Sequence, residues 1–343
     1  MKTYKYKAAV LSAAISSAVG FSAFAQAQML EEVMVTAQTR AQSVNDIPMS
    51  ISTISGDQML EMGIQDTTDL AATIPGFNYS DTAFGPPVYT LRGVGFNESS
   101  PQATSTVGVY IDQIAIPFPI MTKGAMIDVD RVEVLKGPQG TLYGRNSTGG
   151  AINYIATRPT DELEAGILAS YGRYETASVD GYVSGPITDS VRSRLAIRSV
   201  TSGEGWQESV TRGDELGEQD KLALRFITDF DLGDKTTASF SYSHVTDESD
   251  SLAPQLIELT GNYSPLLGLA GFEADSDGSV VTPDRLVPGS DSTEADWTAG
   301  RTPSLDHENN MYTLQLEHDL TDKIVLTSLT GYSEFDDNGS EYE

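Results

Sequence analysis

Asp130-Arg131-Val132-Glu133-Val134-Leu135-Lys136-Gly137-Pro138-Gln139-Gly140-Thr141-Leu142-Tyr143-Gly144-Arg145-Asn146-Ser147-Thr148-Gly149-Gly150-Ala151-Ile152-Asn153-Tyr154 is the most informative stretch of the chain. Val132 and Val134 alternate with charged neighbours, the period-two pattern of a strand. Gly137-Pro138 turns the chain, Gly140 and Gly144 are expected to permit tight packing, and Gly149-Gly150 release it into a second strand from Ala151 to Ile155. A glycine-rich loop can also cradle a phosphate, but no Gly-Lys-Ser/Thr ending follows Gly140 to Ser147, so the phosphate-binding lysine is missing. Gly93-Val94-Gly95 likewise fails as a dinucleotide fingerprint, because Glu98 stands where the third glycine belongs.

Working back from this stretch, short strands and helices alternate as in a small α/β domain. Ile51 to Ile54 reads as a strand, Ser55-Gly56-Asp57 caps a helix through Met62, and Asp66 opens a second helix that Pro75-Gly76 stops near Ile74. Val88 to Leu91 and Val107 to Ile111 read as further strands. At the N-terminus Lys2, Lys5 and Lys7 precede an Ala/Ser-rich apolar run from Ala8 to Phe24, which is a secretory signal pattern. Cleavage after Ala25 or Ala27 satisfies the small-x-small rule, so the secreted chain is expected to begin at Gln26 or Gln28. Ser12, Ser16, Ser17, Gly20 and Ser22 dilute the run too far for a good membrane-spanning helix.

Beyond Arg158-Pro159 the pattern changes to segments of about ten residues that alternate apolar with polar or small side chains. Seven are readable: Leu163 to Tyr171, Thr176 to Pro186, Val191 to Thr201, Lys221 to Phe230, Thr236 to His244, Asn310 to Leu320 and Ile324 to Phe335. The connectors Gly185 to Ser190, Asp231 to Lys235 and Thr321 to Lys323 are short, whereas Ser202 to Asp220 and Val245 to Asn309 are long, the asymmetry of an outer-membrane barrel. In the third segment Leu195 and Ile197 share one face, and Arg192, Arg194 and Arg198 share the other. If the first face meets lipid, Leu195→Arg should cost ~2–4 kcal/mol near the midplane and Arg194→Ala far less. Periodicity alone leaves open a soluble β-sandwich with a polar outer face.

A formal charge of -28 argues against nucleic acid as a partner, since phosphate binding needs clustered Lys and Arg. The absence of cysteine removes disulfides and thiol chemistry. Catalysis finds no support: His244, His307 and His318 form no zinc motif, and there is no serine elbow and no cofactor-binding fingerprint. Asp275-Ser276-Asp277-Gly278 and Asp291 to Asp296 could attract Ca²⁺ but complete no EF-hand, so no metal site is assigned.

The stretch from Asp130 to Tyr154 resembles the plug signature of TonB-dependent receptors nearly residue for residue. Ile74-Pro75-Gly76-Phe77, Leu91-Arg92-Gly93-Val94-Gly95 and Val109-Tyr110-Ile111-Asp112 match the family's other plug motifs, in the family's order. Glu31-Glu32-Val33-Met34-Val35-Thr36-Ala37 resembles the TonB box, which pairs as an added strand with the periplasmic domain of TonB, itself energised by an inner-membrane complex. The resemblance divides the chain into a signal peptide (1–25), TonB box and linker (26–46), plug domain (47–158) and the N-terminal portion of a transmembrane β-barrel (159–343).

The implied fold is an α+β plug domain followed by antiparallel barrel strands, seven here of about 22 in plugged transporters. Too few strands to close, and an end at Asn338 to Glu343 without a terminal aromatic strand, make the N-terminal part of a longer receptor the expectation. Plug-motif residues carried over are Arg92, Gly93, Arg131, Glu133, Lys136, Gly137, Pro138, Gly140, Tyr143, Gly144, Gly149 and Gly150, with the charged ones expected to meet the barrel wall. Upward loops from Tyr79 to Pro87, Gly95 to Thr106 and Ala115 to Thr122 put Phe84, Phe96, Asn97, Gln102, Phe118 and Met121 forward as substrate contacts. The implied function is active uptake, across a Gram-negative outer membrane, of a scarce large solute such as a ferric siderophore, with cobalamin, haem or an oligosaccharide in the same class. The other class left open is a non-transporting binding or adhesion β-protein with a plug-like N-terminus.

Overall fold

The computed structural model describes residues 34–36, 42–43, 47–82, 86–97, 104–210, 213–253, 273–274, 280–281, 293–295, 297 and 302–341. The signal sequence lies outside them, as do most of the two acidic runs considered for Ca²⁺. Two short strands, β1 (Met34–Val35) and β2 (Gln42–Ser43), pair antiparallel ahead of the plug. β3 (Ile51–Ser55) leads into α1 (Gly56–Met62), whose start is fixed reciprocally: the Ser55 hydroxyl accepts the Gln58 N–H and the Gln58 side chain accepts the Ser55 N–H. Gly63, at φ 69°, ends it in the left-handed conformation that favours glycine. Asp66 caps α2 (Thr67–Thr73) by accepting the Asp69 N–H at 2.9 Å.

β4 (Phe77–Ser80), β5 (Val88–Leu91) and β6 (Val94–Gly95) form a small antiparallel sheet. The main plug sheet has the order β3-β9-β10-β7-β8, from β7 (Val107–Ile111), β8 (Ile114–Ala115), β9 (Val129–Lys136) and β10 (Gly150–Ala156). The β10–β7 pair is parallel and the other pairs are antiparallel. Between β9 and β10 lies the single turn α3 (Gly140–Tyr143). Every residue of β10 is buried, because it is the middle strand with neighbours on both edges and helices, loops or wall against both faces. In β9 the expected in-and-out alternation is absent: Val132, Glu133, Val134 and Leu135 are all buried. A charged side chain there must find partners inside the protein.

The wall is one antiparallel sheet in chain order: β11 (Glu164–Tyr171), β12 (Ala177–Thr188), β13 (Val191–Thr201), β16 (Asp220–Asp231), β17 (Thr236–Asp247), β21 (His307–Thr321) and β22 (Ile324–Asp337). Each outer strand has one neighbour, so the sheet is open. Leu195 and Ile197 are 41% and 44% exposed on the outer face, whereas Arg194, on the inner face, is 5% exposed. At the long-connector end β14 (Gln207–Ser209), β15 (Glu215–Leu216) and β20 (Glu294–Ala295) make a small sheet around Leu216, Ala253, Ala295 and Trp297, while β18 (Glu273–Ala274) pairs with β19 (Val280–Val281). β17 and β21 run three residues further towards this end than alternation indicates, since polar side chains at strand ends do not interrupt backbone pairing.

Candidate coupling segment, plug clamp and ligand-facing cavity

Glu133 is the centre of the signature strand's chemistry. Its carboxylate is fully buried, with Oε1 accepting from Arg131 Nε at 2.9 Å and from the Thr36 backbone N–H at 2.9 Å. The Thr36 hydroxyl adds contacts of 3.2 and 3.3 Å to the two oxygens. One residue earlier, Val35 is 0% exposed in a slot formed by Ile47, Tyr110, Leu135 and Ala151. Tyr143 packs at the edge of this slot with its ring 4.8 Å from that of Tyr110, and its backbone carbonyl accepts the Tyr110 hydroxyl at 2.6 Å. Burial, reinforced by the nearby Glu133 carboxylate, pushes the Tyr143 phenol well above its ordinary pKa. Val35 and Thr36 of the proposed coupling strand are therefore docked on the plug, with Met34 beside them in β1; Glu31, Glu32, Val33 and Ala37 lie outside the described residues.

Among the described residues the charged plug-motif side chains find partners within the plug. Arg131 pairs with Asp130 at 2.7 Å as well as with Glu133, Lys136 Nζ donates to the Pro75 carbonyl at 2.8 Å, and Arg92 Nη2 donates to Ser50 Oγ at 2.7 Å. The glycines also divide differently. Gly93, Gly137 and Gly144 have φ of 80°, 103° and 73°, but a Cβ at Gly137, Gly140 or Gly144 would meet nothing within 4 Å among the described residues, which gives no support to a packing role for Gly140 or Gly144. Gly149 and Gly150 are the crowded pair, against Val94 and against Leu135 and Leu91. Pro138 follows Gly137 in the turn beyond β9.

Contact between plug and wall runs the other way, from wall arginines to plug oxygens. Arg194 Nε and Nη2 each reach a carboxylate oxygen of Asp128 at 2.6 Å, and the guanidinium lies 4.0 Å above the Tyr182 ring. Arg225 donates to the Ile127 carbonyl at 2.6 Å and to Ser243 Oγ at 3.1 Å. Arg158, between plug and wall, donates to Ser239 at 2.7 Å and Gln315 at 3.2 Å, and Arg192 pairs with Asp161 and Asp231. Arg194→Ala is consequently no minor change, as it strips a largely covered carboxylate of its partner. Alternation pointed to the arginine face; Asp128 and Arg225 carried no comparable signal.

Of the side chains put forward for substrate contact, Phe96, Asn97 and Phe118 are exposed, and Phe84 and Gln102 lie outside the described residues. Met121 is instead 4% exposed, inside the 3-10 turn Pro119–Thr122, and its carbonyl accepts Asn309 Nδ2 at 3.2 Å. Pro119 and the apolar Ile120 turn that segment inward, so the loop reading misplaced it. Beside it, Lys123 lies between plug and wall; burial lowers its pKa, and the Asp247 carboxylate partly opposes that shift. A cavity of about 690 Å³ opens here, lined by Asp66–Asp69, Tyr79, Asp81, Thr82 and Thr122–Ile127 of the plug and by residues of β11, β12, β13, β16 and β17.

A family model described as TonB-dependent Receptor Plug Domain matches residues 43–151. The chain is 30% identical over 200 residues to an iron-regulated outer membrane virulence protein of Vibrio cholerae, a match covering 53% of this chain and 29% of that protein. It is 23% identical over 301 residues to the catecholate siderophore receptor Fiu of Escherichia coli, covering 84% of this chain and 35% of that receptor. Among solved structures, the ferric yersiniabactin uptake receptor FyuA from Yersinia pestis superposes with a TM-score of 0.65 at 20% identity, over 84% of this chain and 41% of FyuA. The chain thus spans well under half the length of the curated relatives it matches.

Proposed function

We propose that this chain, whose residues 43–151 match the plug domain of TonB-dependent receptors and precede seven antiparallel wall strands, belongs at the outer membrane and serves active uptake of a scarce, large solute, an iron chelate of the siderophore class. The observation that carries this reading is the seat of Val35 and Thr36 on the signature strand. An outer membrane holds no ion gradient or nucleotide of its own, so opening a plugged wall requires work delivered by a partner. A short strand tied to the plug's central sheet is a place to deliver it, and the periplasmic domain of TonB is the partner that strand addition fits. The relatives' names, which include catecholate and yersiniabactin receptors, favour an iron chelate. Uptake of radio-iron supplied as a panel of siderophores, in cells with and without the receptor and with and without TonB, tests this. Accumulation should need both proteins, while binding at the cell surface should need the receptor alone. Accumulation independent of TonB would overturn the reading.

A further inference from the structure

The cavity between plug and wall has a charge its surroundings do not cancel. Six carboxylates line it, Asp66, Asp69 and Asp81 from the plug and Glu218, Asp247 and Asp250 from the wall and its connectors, against three cations. Arg198 directs its Nε towards Asp180, 3.6 Å away and outside the lining, and Lys221 donates to Gln219 at 3.3 Å. Lys123 forms no ion pair among the described residues, although the Asp247 carboxylate is near enough to oppose the lowering of its pKa by burial. Asp247 is 4% exposed; Oδ1 accepts the Ser249 N–H at 3.3 Å, and Oδ2 has no hydrogen-bond partner among the described residues. A buried carboxylate oxygen without a donor is costly unless a donor arrives with a ligand. The connectors carry the same sign in their sequence, 202–220 and 245–309 holding 19 Asp and Glu against three Lys and Arg. A surface of one sign concentrates solutes of the other and repels its own.

We propose that this cavity takes a cationic end of the transported solute, an alkylammonium or guanidinium group, with Asp247 as its counter-charge, and that the receptor discriminates against polyanionic iron chelates. The proposal rests on the uptake reading above and narrows it. A single-charge comparison tests it: equilibrium binding to the receptor in outer-membrane vesicles of a ferric linear trihydroxamate with a free terminal ammonium, the same chelate N-acetylated, and a ferric tris-catecholate. The ammonium form should bind about tenfold tighter than its acetylated twin, the worth of one charge-assisted hydrogen bond. Asp247→Asn should erase that difference. Asp81→Asn, at an exposed position on the plug side, should reduce it while keeping the side-chain oxygen that accepts the Tyr79 hydroxyl. Equal affinity for the two hydroxamates, or preference for the tris-catecholate, overturns the cation subsite; TonB-dependent accumulation in the same cells would then leave the uptake reading standing. Failure to bind any of the three overturns both.

Discussion

Thr36 donates its backbone N–H to the buried carboxylate of Glu133 at 2.9 Å, joining the segment ahead of the plug to the plug's signature strand. While that bond holds, Thr36 cannot offer the same N–H to a strand of another protein. Glu133→Gln keeps the shape and removes the charge, which weakens hydrogen bonds of this kind by roughly 1 kcal/mol each. Opening of the Thr36 amide should become about five- to tenfold more frequent, read by native-state hydrogen exchange on the receptor in detergent. Unchanged exchange at Thr36 would mean that the carboxylate does not hold the segment.

The clamp of Arg194 on Asp128 yields a second prediction, with Leu195 as its internal control. Arg194→Ala leaves the Asp128 carboxylate, 12% exposed at its side chain, without its bidentate partner, and should cost about 3–5 kcal/mol. Leu195→Arg, on the outer face, should cost ~2–4 kcal/mol if it sits near the bilayer midplane. Pairing Arg194→Met with Asp128→Asn removes both charges together and should recover most of the first loss, since the penalty comes from an unpaired charge. Asparagine also suits the φ of 47° at that position. Denaturant unfolding of the receptor in bilayers measures all three, and a cost for Arg194→Ala below about 1 kcal/mol would show that the clamp carries no load.

What was legible in the chain follows from the range of the physics involved. The wall strands could be read because a side-chain period of two is local: Leu195 and Ile197 sit on the exposed face and Arg194 on the buried one, as alternation requires. The caps at Ser55 and Asp66 were legible for the same reason, their hydrogen bonds spanning three residues. Glu133 was recognisable as a motif residue, but its full burial depends on Thr36, 97 positions away. Asp128 and Arg225 meet their partners across 66 and 98 positions, separations at which no periodicity operates. Met121 was misread because its segment turns inward at Pro119 and Ile120 and its carbonyl accepts from Asn309, 188 positions away.

The crowded glycine of the signature makes a third prediction. A methyl group at Gly150 would collide with the Leu135 carbonyl oxygen and lie 2.6 Å from Leu91 Cδ1, in a backbone at φ 149° that side chains avoid. Overpacking and backbone strain each cost roughly 1–3 kcal/mol, so Gly150→Ala should destabilise the plug severely. Gly140→Ala meets nothing within 4 Å and should be neutral or slightly stabilising, by up to about 1 kcal/mol. Thermal unfolding of the two variants side by side checks this. Equal effects would place the signature's glycine requirement somewhere other than at Gly150.

Coupling is tested most directly by removing a backbone donor from the docked segment. In β1, Val35 stands opposite Gln42 of β2, while its side chain fills the slot beside Leu135 and Ala151. Pairing with a partner's strand instead would use the same backbone groups, so proline should damage it where side-chain changes are tolerated. Val33→Pro and Val35→Pro should therefore leave solute affinity at the outer face nearly unchanged and abolish uptake. Val35→Pro also disturbs the slot, which is why Val35→Ala is the necessary companion: it keeps the N–H and removes two methyl groups from the buried side chain. At about 0.8 kcal/mol per buried carbon, docking on the plug should weaken by roughly 1.5 kcal/mol, about tenfold. The purified periplasmic domain of TonB should then bind Val35→Ala receptor more tightly than the unaltered one, and uptake should persist. Equilibrium binding, uptake and a TonB pull-down on the same preparations separate these outcomes. Normal uptake by both proline variants would take the coupling role away from residues 31–37, and loss of uptake in Val35→Ala would show that the slot itself, not the freed backbone, is what the energy-delivering partner needs.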